Sequence, residues 1–341
     1  MTGRTARGCR TAAWSLALVA AVGGCSPPAP ASDRLSDGAN RLPTPVRAIA
    51  TPVGRSPVAV AVGDLVCAAG VPAPESCQHA SVATLVDTLA PDVLLLLGDL
   101  QYEAGSLSTF RSWFEPAFGR FKPIMRSVPG NHEYVTRGAS GYFDYFNGVD
   151  QDVGVAGTRN RGYYSFDLGT WHLIALNSNC TYVGGCGAGS PQEQWLRADL
   201  AANRSTCTLA FWHHPRFSSG NHGNEPAMTA VWRALQDAGA DLALTAHDHV
   251  YERFAAQRAD GTADERAGIR EFVVGTGGRS MYAFPVIRAN SEVRRNDAFG
   301  ALRLSLDSAG YTWRFVEAPS GLVLDAGSGR CHAPPAPMPP A

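Results

Sequence analysis

Five short polar clusters hold the residues able to do chemistry: Gly63-Asp64, Gly98-Asp99-Leu100-Gln101-Tyr102, Gly130-Asn131-His132-Glu133, His213-His214-Pro215 and Ala246-His247-Asp248-His249. They combine carboxylate, phenol and amide oxygens with imidazoles, a donor mixture that suits a pair of transition-metal ions better than Ca or Mg alone. Such a pair would serve phosphate-ester hydrolysis. The anionic oxygens of a phosphate ester repel a nucleophile, and two adjacent cations neutralise them while acidifying a bound water. Taken singly, each residue has a plainer explanation: an Asp after Gly is a common turn residue, and His213 before His214-Pro215 could be a solvated loop histidine. Their joint order and placement is what points to one site.

The elements that must position them are legible as apolar runs. Residues 58–62, 93–97, 124–128, 208–212 and 242–245 are short, apolar and bounded by turn residues, as buried strands are. Four clusters follow their run directly, and only Pro129 and Gly130 separate Asn131 from the fifth. Helical patterns lie between them. Residues 77–89 put Val82, Leu85, Val86 and Leu89 on one stripe. Ser190-Pro191-Gln192-Glu193 offers a cap, a first-turn proline and a capping-box Glu, and a third helix is expected over 225–238. Residues 162–168 with 171–177, and 300–306 with 311–316, read as hairpins. Parallel βα units mixed with hairpins predict an α/β fold of two mixed sheets packed as a sandwich between helices, with all five clusters beyond the carboxyl ends of strands.

The ordered blocks resemble the calcineurin-like metallophosphoesterase superfamily, whose motifs read D, GDxx, GNH(E/D), H and GHxH. Gly98-Asp99-Leu100-Gln101-Tyr102 and the run His247-Asp248-His249-Val250-Tyr251-Glu252-Arg253 are similar to the GDxxY and GHxHxYER of its purple acid phosphatase branch. The motifs span 58–253, and the resemblance extends toward Cys331. It implies that Asp64, Tyr102 and His249 bind one ion, that Asn131, His213 and His247 bind the other, and that Asp99 bridges both. The expected pair is Fe(III) with a divalent Fe, Zn or Mn. His213, two residues before Pro215, matches the family ligand, which leaves His214 beside the ligands rather than among them. His132 would face the phosphoryl oxygens, Glu133 would orient a neighbour, and His222 would protonate the leaving oxygen.

Two departures stand out: Ala246 replaces the usual Gly, and Leu65-Val66 follows Asp64 where a Gly is common. Ala at 246 would be troubled only by a backbone with positive φ. His79, His172 and Asp248 are read as structural; Gly275-Thr276-Gly277-Gly278 could line the pocket, though a glycine-rich turn is the plainer description.

The implied activity is hydrolysis of small phosphate monoesters by in-line attack of a metal-activated hydroxide. A phosphodiesterase or nucleotidase is the rival enzyme, and a catalytically silent metal- or phosphate-binding surface lipoprotein is the rival from another class. The 341 residues are 45% hydrophobic and carry a formal net charge of -1, so no basic excess suggests a nucleic-acid partner. Arg4, Arg7 and Arg10 precede an apolar stretch at 11–22, the pattern of a secretion signal over residues 1–25. Val22-Gly23-Gly24-Cys25 resembles a bacterial lipobox, which would lipidate Cys25, make that anchor the sole membrane contact and place an exported protein at the cell surface. Ordinary cleavage nearby would instead release it. Residues 26–56 read as a Pro, Ala and Ser-rich tether, 57–332 as the catalytic domain and 333–341 as a disordered tail. Without Cys9 and Cys25, six cysteines remain, which an oxidising compartment would pair as three disulfides. Sequence permits fifteen pairings; short loops favour Cys67–Cys77 and Cys180–Cys186, leaving Cys207–Cys331.

Overall fold

The computed structural model describes residues 54–67, 77–203 and 205–332. The expected signal sequence with Cys25, nearly all of the expected tether and the expected tail at 333–341 lie outside the described residues.

Among the described residues fifteen strands follow in chain order: β1 (Val58–Val62), β2 (Val93–Leu96), β3 (Met125–Ser127), β4 (Val153–Gly154), β5 (Gly157–Thr158), β6 (Tyr164–Leu168), β7 (Trp171–Ala175), β8 (Cys207–Phe211), β9 (Leu242–Thr245), β10 (Tyr251–Phe254), β11 (Arg270–Val274), β12 (Ser291–Arg295), β13 (Gly300–Asp307), β14 (Gly310–Glu317) and β15 (Val323–Arg330). One sheet has the order β15-β14-β13-β1-β2-β3 and the other β12-β10-β11-β9-β8-β7-β6, with β4 and β5 forming a separate small hairpin. Both sheets are mixed. Strands β1, β2 and β3 are parallel, as are β7, β8, β9 and β11, while β13 joins β1 antiparallel.

Strands β1 and β2 are apolar at every position because both their faces are covered. Every residue of β1, β2 and β9 is buried. Ala59, Ala61 and Leu95 of the first sheet meet Leu173, Leu209, Phe211 and Leu244 of the second in a core that also takes Leu302, Leu304 and Phe315. On the outer face of the first sheet, Val60, Val62, Leu94 and Leu96 pack against Val82 and Val86 of the helix His79–Leu89 and against Phe110, Phe114 and Tyr142. On the outer face of the second, Ala210, Ala243 and Val273 meet Trp195, Leu196, Trp232 and Leu235. This is the expected four-layer sandwich. The helix Pro191–Ala202 begins as its sequence predicts, with the Ser190 hydroxyl accepting from Glu193 N; the Glu193 carboxylate reaches back one residue further, to Gly189 N at 3.0 Å.

All three favoured disulfides are formed: Cys67–Cys77, Cys180–Cys186 and Cys207–Cys331, with Cα separations of 6.0, 5.2 and 5.3 Å. The third links the first residue of β8 to the residue just past β15, and so crosses between the sheets.

Candidate metal centre

The two sheets divide the donors by chemistry. Loops after β1, β2 and β3 carry the oxygens of Asp64, Asp99, Tyr102 and Asn131, whereas loops after β8 and β9 carry the imidazoles of His213, His247 and His249. Three of these residues hold left-handed backbones: Asp64 (φ 58°), Asp99 (φ 49°) and His247 (φ 67°). Non-glycine residues adopt that region at a cost, which neighbouring contacts must offset. Here the turns are bonded to one another. Asp64 N donates to Gly98 O at 3.1 Å, Leu65 N to Asp99 O at 2.9 Å, and His247 N to the Asp64 side chain at 2.9 Å. The positive φ falls on His247 and not on Ala246, so alanine at 246 is tolerated. Its methyl fits because residue 63 has none: a Cβ on Gly63 would lie 2.5 Å from that of Ala246.

The side chains converge in two groups. Tyr102 Oη donates to Asp64 Oδ1 at 2.7 Å and lies 3.2 Å from Asp99 Oδ2 and 2.9 Å from His249 Nε2. His213 Nε2 lies 3.3 Å from Asp99 Oδ2, 3.2 Å from Asn131 Oδ1 and 3.2 Å from His247 Nδ1. One atom, Asp99 Oδ2, therefore belongs to both groups. The other carboxylate oxygen, Oδ1, is engaged elsewhere, accepting from His132 N at 2.9 Å.

The tautomers decide what such a cluster can hold. His213 Nδ1 donates to Leu97 O at 2.8 Å and His249 Nδ1 to Ser280 O at 2.7 Å, as metal-ligating histidines do with their second nitrogen. As neutral rings, each turns an Nε2 lone pair toward oxygens that are themselves acceptors. Buried acceptors facing acceptors require a cation between them. Asp64 and His213 are fully buried and Asp99 is 2% exposed, so bulk solvent does not screen them. Proton and metal compete for the same atoms. Burial alone would lower His213, but Asp99 and Asp64 outweigh it and raise its pKa to about 9. Burial, with the nearby Asp64 and Asp99, pushes the Tyr102 phenol well above its ordinary value. Two further close groups, Cys67-Cys77-His79 and Cys207-Asp241-Cys331, offer no thiolate because their cysteines are disulfide-bonded.

The remaining predicted residues surround the ligands. His214 lies against His247 with ring centres 4.3 Å apart and planes tilted by 54°, and pairs with Ser178 Oγ at 2.8 Å. Burial and then the adjacent His213 lower its pKa to about 3, so it stays neutral. His132 donates from Nδ1 to Glu103 O at 2.7 Å and lies against Tyr102, with Nε2 3.9 Å from Asp99 Oδ2. Glu133 orients backbone rather than a side chain, accepting from Asp99 N, Leu100 N and Gly130 N at 2.9, 2.9 and 2.7 Å. His222 stacks on His247 at 4.1 Å.

Asp248, read from sequence as loop structure, holds the His222 loop in place: its carboxylate accepts from Ser218 Oγ at 2.5 Å, His222 N at 2.8 Å and Gly223 N at 3.2 Å. His172 is structural, bonded to Asp167 and Asp199 on β6 and the helix Pro191–Ala202. The glycine-rich turn does line the site, as its sequence allowed, but the residues that follow it were not foreseen. A Cβ on Gly275 would sit 2.7 Å from Asp64 Oδ2, and the residues after the turn, Arg279, Ser280 and Tyr282, close over the Asp64–His249 group. The available signal was a glycine run following a buried strand that ends at the same sheet edge as β9.

The model for the calcineurin-like phosphoesterase family matches residues 58–251, which include every one of these donors. The chain belongs to that family. Among curated proteins it is similar to purple acid phosphatase 18 of Arabidopsis thaliana, 27% identical over 204 residues that cover 57% of this chain and 45% of the relative. Purple acid phosphatase 15 of the same plant is 27% identical over 195 residues, covering 48% and 36%. The chain thus spans less than half the length of either relative. Among solved structures, the purple acid phosphatase PPD1 of yellow lupin (Lupinus luteus) has a TM-score of 0.63 at 19% identity, over 83% of this chain and 54% of that one. At that identity it shows the fold, a calcineurin-like phosphoesterase sandwich.

Proposed function

We propose that this calcineurin-like phosphoesterase hydrolyses phosphate monoesters at a binuclear metal centre, in the manner of a purple acid phosphatase. The observation that carries the reading is Asp99 Oδ2, shared between the Tyr102 group and the His213 group while both histidine lone pairs face inward. In this reading Asp64, Tyr102 and His249 hold one cation, Asn131, His213 and His247 hold the other, and Asp99 bridges them. When bound, the two cations would neutralise the phosphoryl oxygens and acidify a coordinated water. The buried Tyr102 phenol, pushed up in pKa, stays ionised only beside a strongly acidic ion, which favours Fe(III) at that position and a divalent Fe, Zn or Mn at the other.

The chain's own groups do the rest. His132 is fixed through Nδ1 by Glu103 O, which leaves Nε2 to meet a phosphoryl oxygen. His222, partnered to the site by its stack on His247, serves as the proton donor to the departing alkoxide. All six cysteines of the described residues are in disulfides, so none of them offers a thiol as a covalent nucleophile. Direct attack by water predicts inversion at phosphorus, and retention with a chiral phosphate would contradict it.

Three disulfides suit an oxidising compartment, which supports export. Lipidation at Cys25, with 26–56 as a tether to the domain at 57–332, is the proposed route to the cell surface. Among the described residues no helix is long and apolar enough to cross a membrane. The test is metal analysis of purified protein lacking the residues before Ser26, joined to turnover of p-nitrophenyl phosphate and its bis-ester. Two ions per chain and a preference for the monoester are expected. Preference for the bis-ester would replace the reading with a diesterase, and bound metal without turnover would replace it with a silent binding protein.

A further inference from the structure

The segment after β11 is fastened along its length to the Asp64–His249 half of the site. Gly277 N donates to Gly63 O at 3.0 Å, Arg279 N to Asp64 O at 3.1 Å, and Tyr282 N to His249 O at 3.1 Å, while Ser280 O takes the His249 Nδ1 proton. These bonds deliver one aromatic ring to the site. Tyr282 stacks on His249 with ring centres 4.0 Å apart and planes 11° from parallel, and stands 5.5 Å from the ring of His222. It therefore lies between the donor cluster and the histidine to which proton donation is assigned.

Its hydroxyl has no hydrogen-bond partner among the described residues, whereas those of Tyr142, Tyr164 and Tyr251 bond to Ser127, Ser127 and Asp325. The charged groups close enough to act on it are Asp64, Arg279, Asp99 and Asp248, all at the centre or its rim. A partly exposed phenol held rigidly at that place is a donor in want of an acceptor.

We propose that Tyr282 contacts the substrate, its hydroxyl donating a hydrogen bond to a non-bridging oxygen of the bound phosphoryl group. The inference rests on the monoesterase reading and adds a residue that the motifs do not contain. The ring's stack on His249 orients the donor in advance, so little freedom is lost when the bond forms.

The test is Tyr282→Phe, which keeps the stack and removes the oxygen. In the metal-loaded variant kcat/KM for both phenyl and alkyl phosphates should fall roughly 10- to 100-fold, the range for a hydrogen bond to a charged group. The dissociation constant for inorganic phosphate, measured by calorimetry, should rise in parallel, with metal content and Tm unchanged. Wild-type values of kcat/KM and phosphate affinity in the variant would overturn the inference while leaving the reading intact. Loss of bound metal in the variant would also overturn it, since Tyr282 would then act through His249. A wild-type protein that binds phosphate without turnover would overturn the monoesterase reading alone, and the calorimetric arm would still decide the role of Tyr282. Absence of both binding and turnover in the wild type would overturn both.

Discussion

The Glu133 carboxylate accepts the backbone hydrogen of Asp99 at 2.9 Å, and does so at a residue whose own φ is 49°. The same carboxylate takes the amides of Leu100 and Gly130, so one buried side chain joins the loops after β2 and β3. Glu133→Ala would leave three buried N–H groups without acceptors, each costing about 1–3 kcal/mol. The expected loss is at least about 3 kcal/mol in urea-induced unfolding, accompanied by weaker metal retention on dialysis. A variant as stable as the wild type would show that water replaces the carboxylate.

Tyr102 gives an optical test. Protein loaded with ferric iron should show a visible tyrosinate-to-iron charge-transfer band, and Tyr102→Phe should lose it. The phenylalanine keeps the ring beside His132 and removes the oxygen that now lies 2.7 Å from Asp64 Oδ1. A colourless wild-type protein with iron demonstrably bound would refute ligation by this residue.

His172 supplies a pH dependence away from the centre. Burial would lower its pKa, but the hydrogen bonds and charges of Asp199 and Asp167 outweigh that and raise it. A folded pKa raised above the unfolded one adds stability that is fully present below about 6.5 and is lost as pH rises through the folded value. The difference in Tm between wild type and His172→Gln, measured with chelator present, should accordingly be largest near pH 5.5 and shrink toward pH 8. A difference that is constant or grows would contradict the ion-pair account.

The Cys207–Cys331 bridge closes a sequence separation of 124 residues. In the chain-entropy account such a loop contributes roughly 5 kcal/mol. Replacing both cysteines with serine should lower the unfolding free energy by up to that amount, whereas removing Cys180–Cys186, with a separation of 6, should cost less. Equal losses would indicate that native-state strain or denatured-state structure dominates.

The five clusters and the strands that carry them were legible in the sequence because parallel strands covered on both faces leave short, mostly apolar runs. Strand β15 left no such trace. Its sequence, VLDAGSGR, contains two glycines and mixes partly buried with exposed residues, yet it pairs with Gly310 to Val316 of β14. Gly327 and Gly329 are there because the rings of Trp313 and Tyr311 occupy the space a Cβ would need. The helical stretch from Leu107 to Phe118 was hidden differently. Phe110, Phe114 and Phe118 repeat every fourth residue and are fully buried, but Pro116 interrupts the pattern and the middle of the stretch is a π-helix. Tyr282 was missed because a glycine-rich turn advertises its conformation and says nothing of the ring that follows it.

The division of donors between the sheets has a consequence for assembly. One sheet alone presents a half-shell of oxygens and the other a half-shell of imidazoles, so neither offers a high-affinity site until the two have docked. In the proposed centre, metal capture would then be a late event that reports completed docking. Once captured there, the ions would act as rivets, and sliding one sheet over the other would require both coordination shells to open together.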